Sequence, residues 1–294
     1  MNSENIKISG FTFVRNGIKF DYPFVESINS ILPICDEHIV NVGNSDDNTL
    51  EAVKNIGSDK IKIVESVWDE SLREGGKILA QQTDIALSHC TGDWCFYLQG
   101  DEILHEKYLD IIKKTIHAHH SNDKVEGLLF KYKHFYATYN FVGASRRWYR
   151  QEIRVLRNIP GVYSYKDAQG FRIEDRKLRV KAVDAYIYHY GWVKPPKIQQ
   201  DKYKSFIKHW LPDSDVKKRV GDIEEFDYSR IDALEPFTDS HPELMKQRVK
   251  DQDWEFDYDP SKFLRNTPLK HRILNKFENL TGNRIGEYKN FKLI

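Results

Sequence analysis

A buried strand that ends in carboxylates is the feature of this sequence best suited to chemistry. Residues 94–98 are apolar on both alternating faces, which predicts a central strand covered on both sides of a sheet. Asp101 and Glu102 follow where the strand should end. Carboxylates there suit a hard divalent cation, which takes oxygen ligands and leaves positions open for phosphate oxygens. They equally suit an acidic helix start, because the helix dipole favours acids at that end.

Strands and helices alternate in the first hundred residues and must position these carboxylates. The predicted strands are 6–14, 38–42, 61–64 and 94–98, and the predicted helices follow Asp21, follow Asn48 and span 76–90. This order implies right-handed crossovers and a largely parallel sheet covered on both faces. Ligands of such sheets bind at the carboxyl ends of the strands, here the regions of Arg15, Asn44 and Asp101.

Composition and missing motifs exclude several classes of protein. Lys plus Arg (45) nearly balances Asp plus Glu (44), so no basic field favours nucleic acid, and a phosphate site must be built locally. The three cysteines show no ligand spacing, which predicts reduced thiols and a cytoplasmic protein. We expect neither a signal peptide nor a membrane-spanning segment. The motifs of dinucleotide-binding dehydrogenases, Walker-type NTPases, zinc metalloproteases and serine hydrolases are also missing.

Four sequence elements follow one another in a recognisable order. They are a short polar turn after the first strand, an Asn/Ser/Asp-rich turn after the second, an Ala-containing helix followed by Gly-Asp-Trp, and a strand ending in Gln-Gly-Asp-Glu. In this chain they are Arg15-Asn16, residues 41–49, residues 80–87 with 92–94, and residues 99–102. Together they resemble the front half of a family 2 glycosyltransferase with the GT-A fold. Order and spacing over about a hundred residues make the resemblance far more specific than any single element.

Two positions depart from the pattern of that family. Asn41 stands where the family usually has the aspartate that reads the nucleotide base, which leaves a preference for uracil open. Gln99 replaces the first aspartate of the metal motif, and a neutral amide oxygen is a weaker ligand than a carboxylate. Asp101 is therefore the principal metal ligand that the resemblance implies.

The resemblance implies a site for a nucleotide-diphosphate sugar and a divalent cation, Mn²⁺ or Mg²⁺. The expected nucleotide-binding residues are Arg15, Asn16, Asn41, Asn44, Asp46, Lys77, Asp84, Gln99 and Gly100. His189 resembles a histidine that completes the metal site in several GT-A enzymes, and Lys194 lies nearby as a point charge for phosphate. A purely structural strand histidine is the alternative for His189.

An acidic residue that accepts the proton of the acceptor hydroxyl is also implied by the resemblance. A carboxylate suits this task because it accepts a proton and balances the positive charge that develops on the sugar. Asp167 is the first choice, with Glu152 and Glu174 behind it. A surface loop aspartate is the alternative for Asp167.

The implied fold is α/β, with a GT-A-type Rossmann-like mixed sheet flanked by helices and a mainly helical C-terminal appendage. Changes in composition near residue 200 divide the chain into a catalytic domain, 1–200, and an extension, 201–294. Within the catalytic domain, 1–105 would bind the nucleotide and 106–200 the acceptor. The implied activity is inverting transfer of a sugar to a glycan or glycoconjugate in surface polysaccharide assembly. A non-catalytic sugar-nucleotide-binding or scaffolding protein and a sugar-1-phosphate nucleotidyltransferase are the alternatives.

Three further sequence features have competing interpretations. Arg146, Arg147, Arg150 and Arg154 flank Trp148-Tyr149 and suit either a charged acceptor or a solvated strand edge. Trp210 and Trp254 of the extension suit core or subunit contacts, the latter in a homo-oligomer. An apolar stripe in the extension suits a membrane surface near a lipid-linked acceptor or, as we expect, packing on its own domain. That stripe consists of Leu269, Ile273, Leu274, Phe277 and Leu280.

Overall fold

The computed structural model describes residues 5–72, 74–211, 213–231, 233–260, 267–282 and 284–294. The front half of the chain alternates strands and helices as the sequence predicts. Its strands are β1 (Ile8–Val14), β2 (Glu37–Gly43), β3 (Ile61–Ser66), β4 (Trp94–Tyr97) and β5 (Glu102–Leu104). Its helices are α1 (Phe24–Ile31), α2 (Thr49–Lys54), α3 (Lys77–Ser88) and α4 (Leu109–His119).

The second half is rich in strands and then becomes mainly helical. The strands are β6 (Gly127–Gly143), β7 (Gln151–Arg157), β8 (Val162–Tyr165), β9 (Gly170–Ile173), β10 (Arg176–Lys177), β11 (Arg179–Val193), β12 (Leu234–Pro236) and β13 (Lys292–Leu293). The helices are α5 (Pro196–Ile207), α6 (Asp213–Val220), α7 (Lys246–Lys250) and α8 (Leu269–Thr281).

One mixed sheet forms the centre of the molecule, with the strand order β13-β11-β6-β7-β4-β1-β2-β3. Strands β3, β2, β1 and β4 run parallel, whereas β7 runs antiparallel to both β4 and β6. The short strand β5 follows β4 in the chain but turns away from it, and it pairs antiparallel with β11. The predicted α/β class, with a mixed sheet flanked by helices, is confirmed.

The core explains why the front strands form where the sequence indicates. All four residues of β4 are fully buried, and so is Phe11 of β1, because helices cover both faces of the parallel part of the sheet. Helix α3 packs Ile78 and Ala86 against that core. The three cysteines are buried and free. The turn after β1 is held by Asn16 in the left-handed conformation at φ 54°.

The C-terminal part of the chain joins the same sheet. Strand β12 pairs with the far end of β6, and β13 pairs with the start of β11. Arg248 of α7 binds Asp21 at 2.6 Å and Glu26 at 2.7 Å, which ties this part of the chain to the turn before α1 and to α1 itself. The domain boundary near residue 200 stays a prediction. Within the described ranges, no helix is long and apolar enough to cross a membrane.

The predicted basic cluster is held in internal contacts. Arg146 binds Glu278 at 2.6 Å, Arg150 binds Glu287 at 2.6 Å, and Arg154 binds Glu102 at 2.7 Å. Three of the four arginines are thus held by carboxylates of the chain itself, and binding of a charged acceptor by this cluster stays a prediction.

The prediction that the apolar stripe of α8 packs on its own domain is wrong. Leu269, Ile273, Phe277 and Leu280 are exposed, and only Leu274 of the stripe is half-buried. The polar side of the helix faces the body of the protein instead, through Glu278.

Candidate active site

A cavity of about 550 Å³ opens at the carboxyl ends of β1 and β4. Arg15, Asn16, Gln99, Gly100 and Asp101 line its floor. Parallel strands deliver these residues to one edge of the sheet, where α/β folds commonly bind ligands. The five positions expected at the ends of the first and fourth strands are therefore brought together.

Several expected nucleotide-binding residues lie outside this cavity. Asn41 is fully buried and its amide donates to Gln82 O at 2.9 Å and Gln82 Oε1 at 3.0 Å. Asp84 accepts a hydrogen bond from the Ser164 backbone at 2.6 Å, and burial raises its pKa to about 6. Lys77 is exposed at the start of α3. Asn41 therefore joins β2 to α3, and Asp84 joins α3 to β8.

The turn after β2 shapes the cavity without lining it. The Asp46 backbone donates to Asn16 Oδ1 at 2.9 Å, and Asn44 Oδ1 accepts from the Trp68 backbone at 3.1 Å. The Asp46 carboxylate pairs with Lys19 at 2.7 Å on the surface. Asn44 and Asp46 therefore position Asn16 and Trp68, which do line the cavity.

Asp101 and His189 face each other inside the cavity. His189 Nε2 lies 3.7 Å from Asp101 Oδ1, although the two residues are 88 positions apart in the sequence. Strand β11 makes this approach possible because its pairing with β5 places His189 opposite Glu102. The structure thus joins the two residues that the sequence predicts as metal ligands.

A second histidine sets the tautomer of His189. His134 Nε2 lies 2.8 Å from the carbonyl oxygen of Tyr149, which can only accept, so Nε2 carries the proton. Burial lowers the pKa of His134, so the ring is neutral and its Nδ1 accepts from His189 Nδ1 at 3.0 Å. Burial also lowers the pKa of His189. In its neutral form, His189 therefore carries its proton on Nδ1 and directs Nε2 toward Asp101.

The Asp101–His189 pair fits a divalent cation as two ligands of an open site. Carboxylate and neutral imidazole are suitable donors, and ligating histidines commonly donate their other N–H to a fixed acceptor. Two ligands of one ion, each about 2.1 Å from it, lie about 3–4 Å apart. Among the residues that the structure describes, no group of three or more His, Cys, Asp or Glu could hold a metal. Water and ligand oxygens would complete the coordination.

Lys202 of α5 is a functional candidate that the sequence prediction missed. Its Nζ lies 3.3 Å from Asp101 Oδ2 and donates to Gly191 O at 2.8 Å. Burial alone would raise the pKa of Asp101, but the ammonium groups of Lys202 and Lys194 hold it below its ordinary value. Lys194 is itself fully buried and donates to Asp21 O at 2.6 Å, so it is not placed as the expected phosphate contact.

Glu102 stabilises the turn that carries Asp101. Its carboxylate forms a two-point ion pair with Arg154, both bonds 2.7 Å long, and accepts from Tyr132 Oη at 2.8 Å. The Gln99 backbone donates to Glu102 Oε2 at 3.1 Å. Both charged groups are almost fully buried, so the pair fixes the turn that presents Asp101.

Two carboxyl groups, those of Asp167 and Glu152, line the wall of the cavity. Burial raises the pKa of Asp167. Its neighbours Lys166 and Ala168 both adopt left-handed backbone conformations, at φ 57° and 62°, a strain that often accompanies functional sites. Burial raises the pKa of Glu152 to about 8, and it outweighs the attraction to Arg154 that would lower it. The third candidate, Glu174, is exposed and lies outside the cavity.

An aromatic wall closes the side of the cavity near β1. The Arg15 guanidinium lies 5.2 Å from the Trp68 ring centre and pairs with Glu70 at 2.6 Å. The His209 ring lies 5.6 Å from Trp68 on another side. Trp68 comes just after the third predicted strand. A place at the cavity could therefore have been predicted for it from its position in the sequence. His209 and Lys202 come from beyond residue 200 and carried no such signal.

Comparison with known proteins yields distant structural matches. No protein-family profile and no curated protein matches the chain. S. aureus TarS matches at 17% identity and a TM-score of 0.38, over 68% of this chain but only 39% of that one. TarS 1-349 in complex with UDP-GlcNAc matches at 17% identity and TM-score 0.41, over 73% of this chain and 70% of that one.

A third solved structure is glucosyl-3-phosphoglycerate synthase from Mycobacterium tuberculosis, in complex with Mn²⁺, UDP and glucosyl-3-phosphoglycerate. It matches at 21% identity and a TM-score of 0.30, over 45% of this chain and 44% of that one. Matches at these identities and TM-scores assign no family.

Proposed function

We propose that this protein is a glycosyltransferase that uses a nucleotide-diphosphate sugar. The observation that carries the proposal is the approach of His189 Nε2 to Asp101 Oδ1, which lie 3.7 Å apart. This pair lies in a cavity of about 550 Å³, a size suited to a small organic ligand, at the carboxyl ends of parallel strands. The polar turn at Arg15 and Asn16 borders the same space.

Asp101 and His189 would hold a divalent cation, Mn²⁺ or Mg²⁺. When bound, such an ion offsets negative charge on a departing nucleoside diphosphate. His134 keeps the ligating nitrogen of His189 unprotonated, and the Glu102–Arg154 pair holds the turn that carries Asp101. Gln99 and Gly100 form the floor beside this pair.

Asp167 is the proposed general base. It takes the proton of the acceptor hydroxyl as that oxygen bonds to the anomeric carbon, and the bond from that carbon to the diphosphate oxygen breaks. The carboxylate lies on the cavity wall, and its raised pKa makes it a better proton acceptor than an exposed aspartate. Attack from the side opposite the leaving group inverts the anomeric configuration.

The finer parts of the proposal concern the acceptor and the setting. We propose a glycan or lipid-linked acceptor in surface polysaccharide assembly, at the inner face of the cytoplasmic membrane. A sugar-nucleotide-binding protein without activity is the second candidate. It is favoured by Gln99, which leaves the proposed metal pair with one carboxylate, and by Lys202, which already pairs with that carboxylate.

Thermal unfolding with nucleotides tests the proposal. The wild type is melted with UDP, GDP, CMP or dTDP, each with and without Mn²⁺, and then incubated with the matching sugar nucleotides. One nucleotide should raise the melting temperature, and Mn²⁺ should increase the shift, because a ligand that binds only the folded state stabilises it. Asp101→Asn should remove the Mn²⁺ increment. Stabilisation without turnover would favour the second candidate, and no stabilisation by any nucleotide would contradict both.

A further inference from the structure

A lysine lies beside Asp101 on the cavity side. Lys202 is on α5, which begins at Pro196 directly after β11 and runs back over the strand ends. Its Nζ contacts Asp101 Oδ2 at 3.3 Å and Gly191 O at 2.8 Å, and it lies 4.7 Å from the Tyr22 ring centre. An ammonium group has three N–H donors, and these hydrogen bonds use two of them.

The net charge around Asp101 does not favour binding of a divalent cation without a nucleotide. Gln99 is neutral, and the nearby Glu102 charge is cancelled by Arg154. Lys202 balances the single charge of Asp101. A divalent cation would therefore enter a site with no excess negative charge, whereas a nucleoside diphosphate would bring two or three negative charges to it. Lys208 adds a further cation at the cavity wall.

We propose that Lys202 is a built-in cation that binds the diphosphate of the donor. It supplies part of the positive charge that a divalent cation would otherwise bring to the diphosphate. Nucleoside diphosphates should consequently bind this protein even when divalent cations are removed. This inference rests on the proposed function. It gives Lys202 of α5 a binding role at a site where position 99 is the neutral Gln99 and not a carboxylate.

Calorimetric titration with UDP, GDP and dTDP tests this role, in EDTA and in Mg²⁺. The wild type should bind one of them in both buffers. Lys202→Met should weaken binding in EDTA by about tenfold or more, the loss expected when a charged contact to phosphate is removed. Lys202→Arg should keep most of the affinity, because it keeps the charge. Lys197→Met, on the exposed side of the same helix, is the matched control and should bind like the wild type.

The outcomes separate this inference from the proposed function. If the wild type binds no nucleoside diphosphate in either buffer, the proposed function fails and the inference fails with it. If the wild type binds only in Mg²⁺, or if a folded Lys202→Met binds as tightly as the wild type in EDTA, the Lys202 role alone is wrong. Melting temperatures of all variants show whether they fold.

A second inference concerns helix α8, whose apolar side faces solvent. Leu269, Ile273, Phe277 and Leu280 lie on one side of the helix, and Leu269 and Leu280 are 72% and 78% exposed. The opposite side is fixed to the body by Glu278, which binds Arg146 at 2.6 Å and Arg150 at 3.2 Å. An amphipathic helix with this orientation presents its apolar side to another surface.

Charge identifies the kind of surface. Residues 267–294 contain six Lys or Arg and only two Glu, whereas the whole chain has a net charge of +1. Lys270, Arg272 and Lys276 are exposed next to the apolar side. Two copies of this helix would bring like charges together, but an anionic lipid surface would satisfy both the apolar and the basic groups.

We infer that α8 binds an anionic membrane surface. In vesicle co-sedimentation, the protein should bind phosphatidylcholine vesicles containing phosphatidylglycerol, bind pure phosphatidylcholine vesicles far less, and be released by salt. Ile273→Ser with Leu280→Ser should abolish binding. The control, Ile223→Ser, changes an exposed apolar residue outside α8 and should bind like the wild type. A wild type that ignores anionic vesicles, or an α8 variant that dissociates a dimer instead, would overturn this inference.

Discussion

His134 determines which nitrogen of His189 faces Asp101. If this tautomer matters for metal binding, His134→Phe should weaken the metal-dependent part of nucleotide binding by about tenfold to a hundredfold, as expected for loss of a partner behind a metal ligand. Phe preserves the ring that packs between Tyr132 and Trp148. Titrations of nucleotide in Mn²⁺ and in EDTA measure the effect. Equal losses in both buffers would show that His134 serves folding alone.

Asp167 should affect the chemical step and not donor binding. Asp167→Asn should lower kcat by about 10²–10⁴-fold, the range expected for loss of general-base catalysis, with the donor affinity nearly unchanged. Steady-state rates and nucleotide titrations on the same preparation measure the two quantities. Glu174→Gln is the control, since Glu174 is exposed outside the cavity. A variant with normal kcat would exclude Asp167 as the base.

Glu152 should make stability depend on pH. Its pKa is raised from 4.5 to about 8, so the folded protein keeps a proton that the unfolded chain loses between these values. The stabilisation of the folded state by this proton is complete below pH 4.5 and is lost as pH rises through 8. In Glu152→Gln, the decrease in unfolding free energy from pH 5 to pH 8 should be smaller by up to about 4 kcal/mol. Urea unfolding at both pH values measures this, and an unchanged decrease would contradict it.

At the scale of elements, the buried Arg154–Glu102 pair joins β7 to the turn between β4 and β5. Arg154→Met leaves the Glu102 carboxylate without its cation and should destabilise the protein by about 3–5 kcal/mol. Adding Glu102→Gln removes the unpaired buried charge and should recover much of the lost stability. Denaturant unfolding of both single variants and the double variant measures the coupling. Additive effects would show that the pair does not act as a unit.

The elements of the front half could be predicted because their signals are local. Strands β1 to β4 and helix α3 follow from apolar runs and from Gly and Pro at their ends, and the predicted helix over 76–90 is observed as Lys77–Ser88. The direction of the Asn41 side chain could not be predicted. It depends on Gln82 of α3, a contact between residues 41 positions apart, which burial and packing decide.

At the scale of the whole molecule, the cavity draws on both predicted parts of the chain. Asp101, Asp167 and His189 come from the first 200 residues, whereas Lys202 and His209 come from the segment predicted as an extension. A boundary drawn from composition could not anticipate that α5 folds back over the strand ends. Lys202 and Asp101 are 101 positions apart and meet only in the folded chain.

Release of nucleoside diphosphate from a panel of sugar nucleotides tests the central claim most directly. The wild type with Mn²⁺ and an acceptor should consume one sugar nucleotide and form a glycoside of inverted anomeric configuration, visible by NMR. Asp101→Ala should fold and lose this activity, because Asp101 is the one carboxylate of the proposed metal pair. A wild type that binds and consumes no sugar nucleotide, or an Asp101→Ala variant as active as the wild type, would contradict the account.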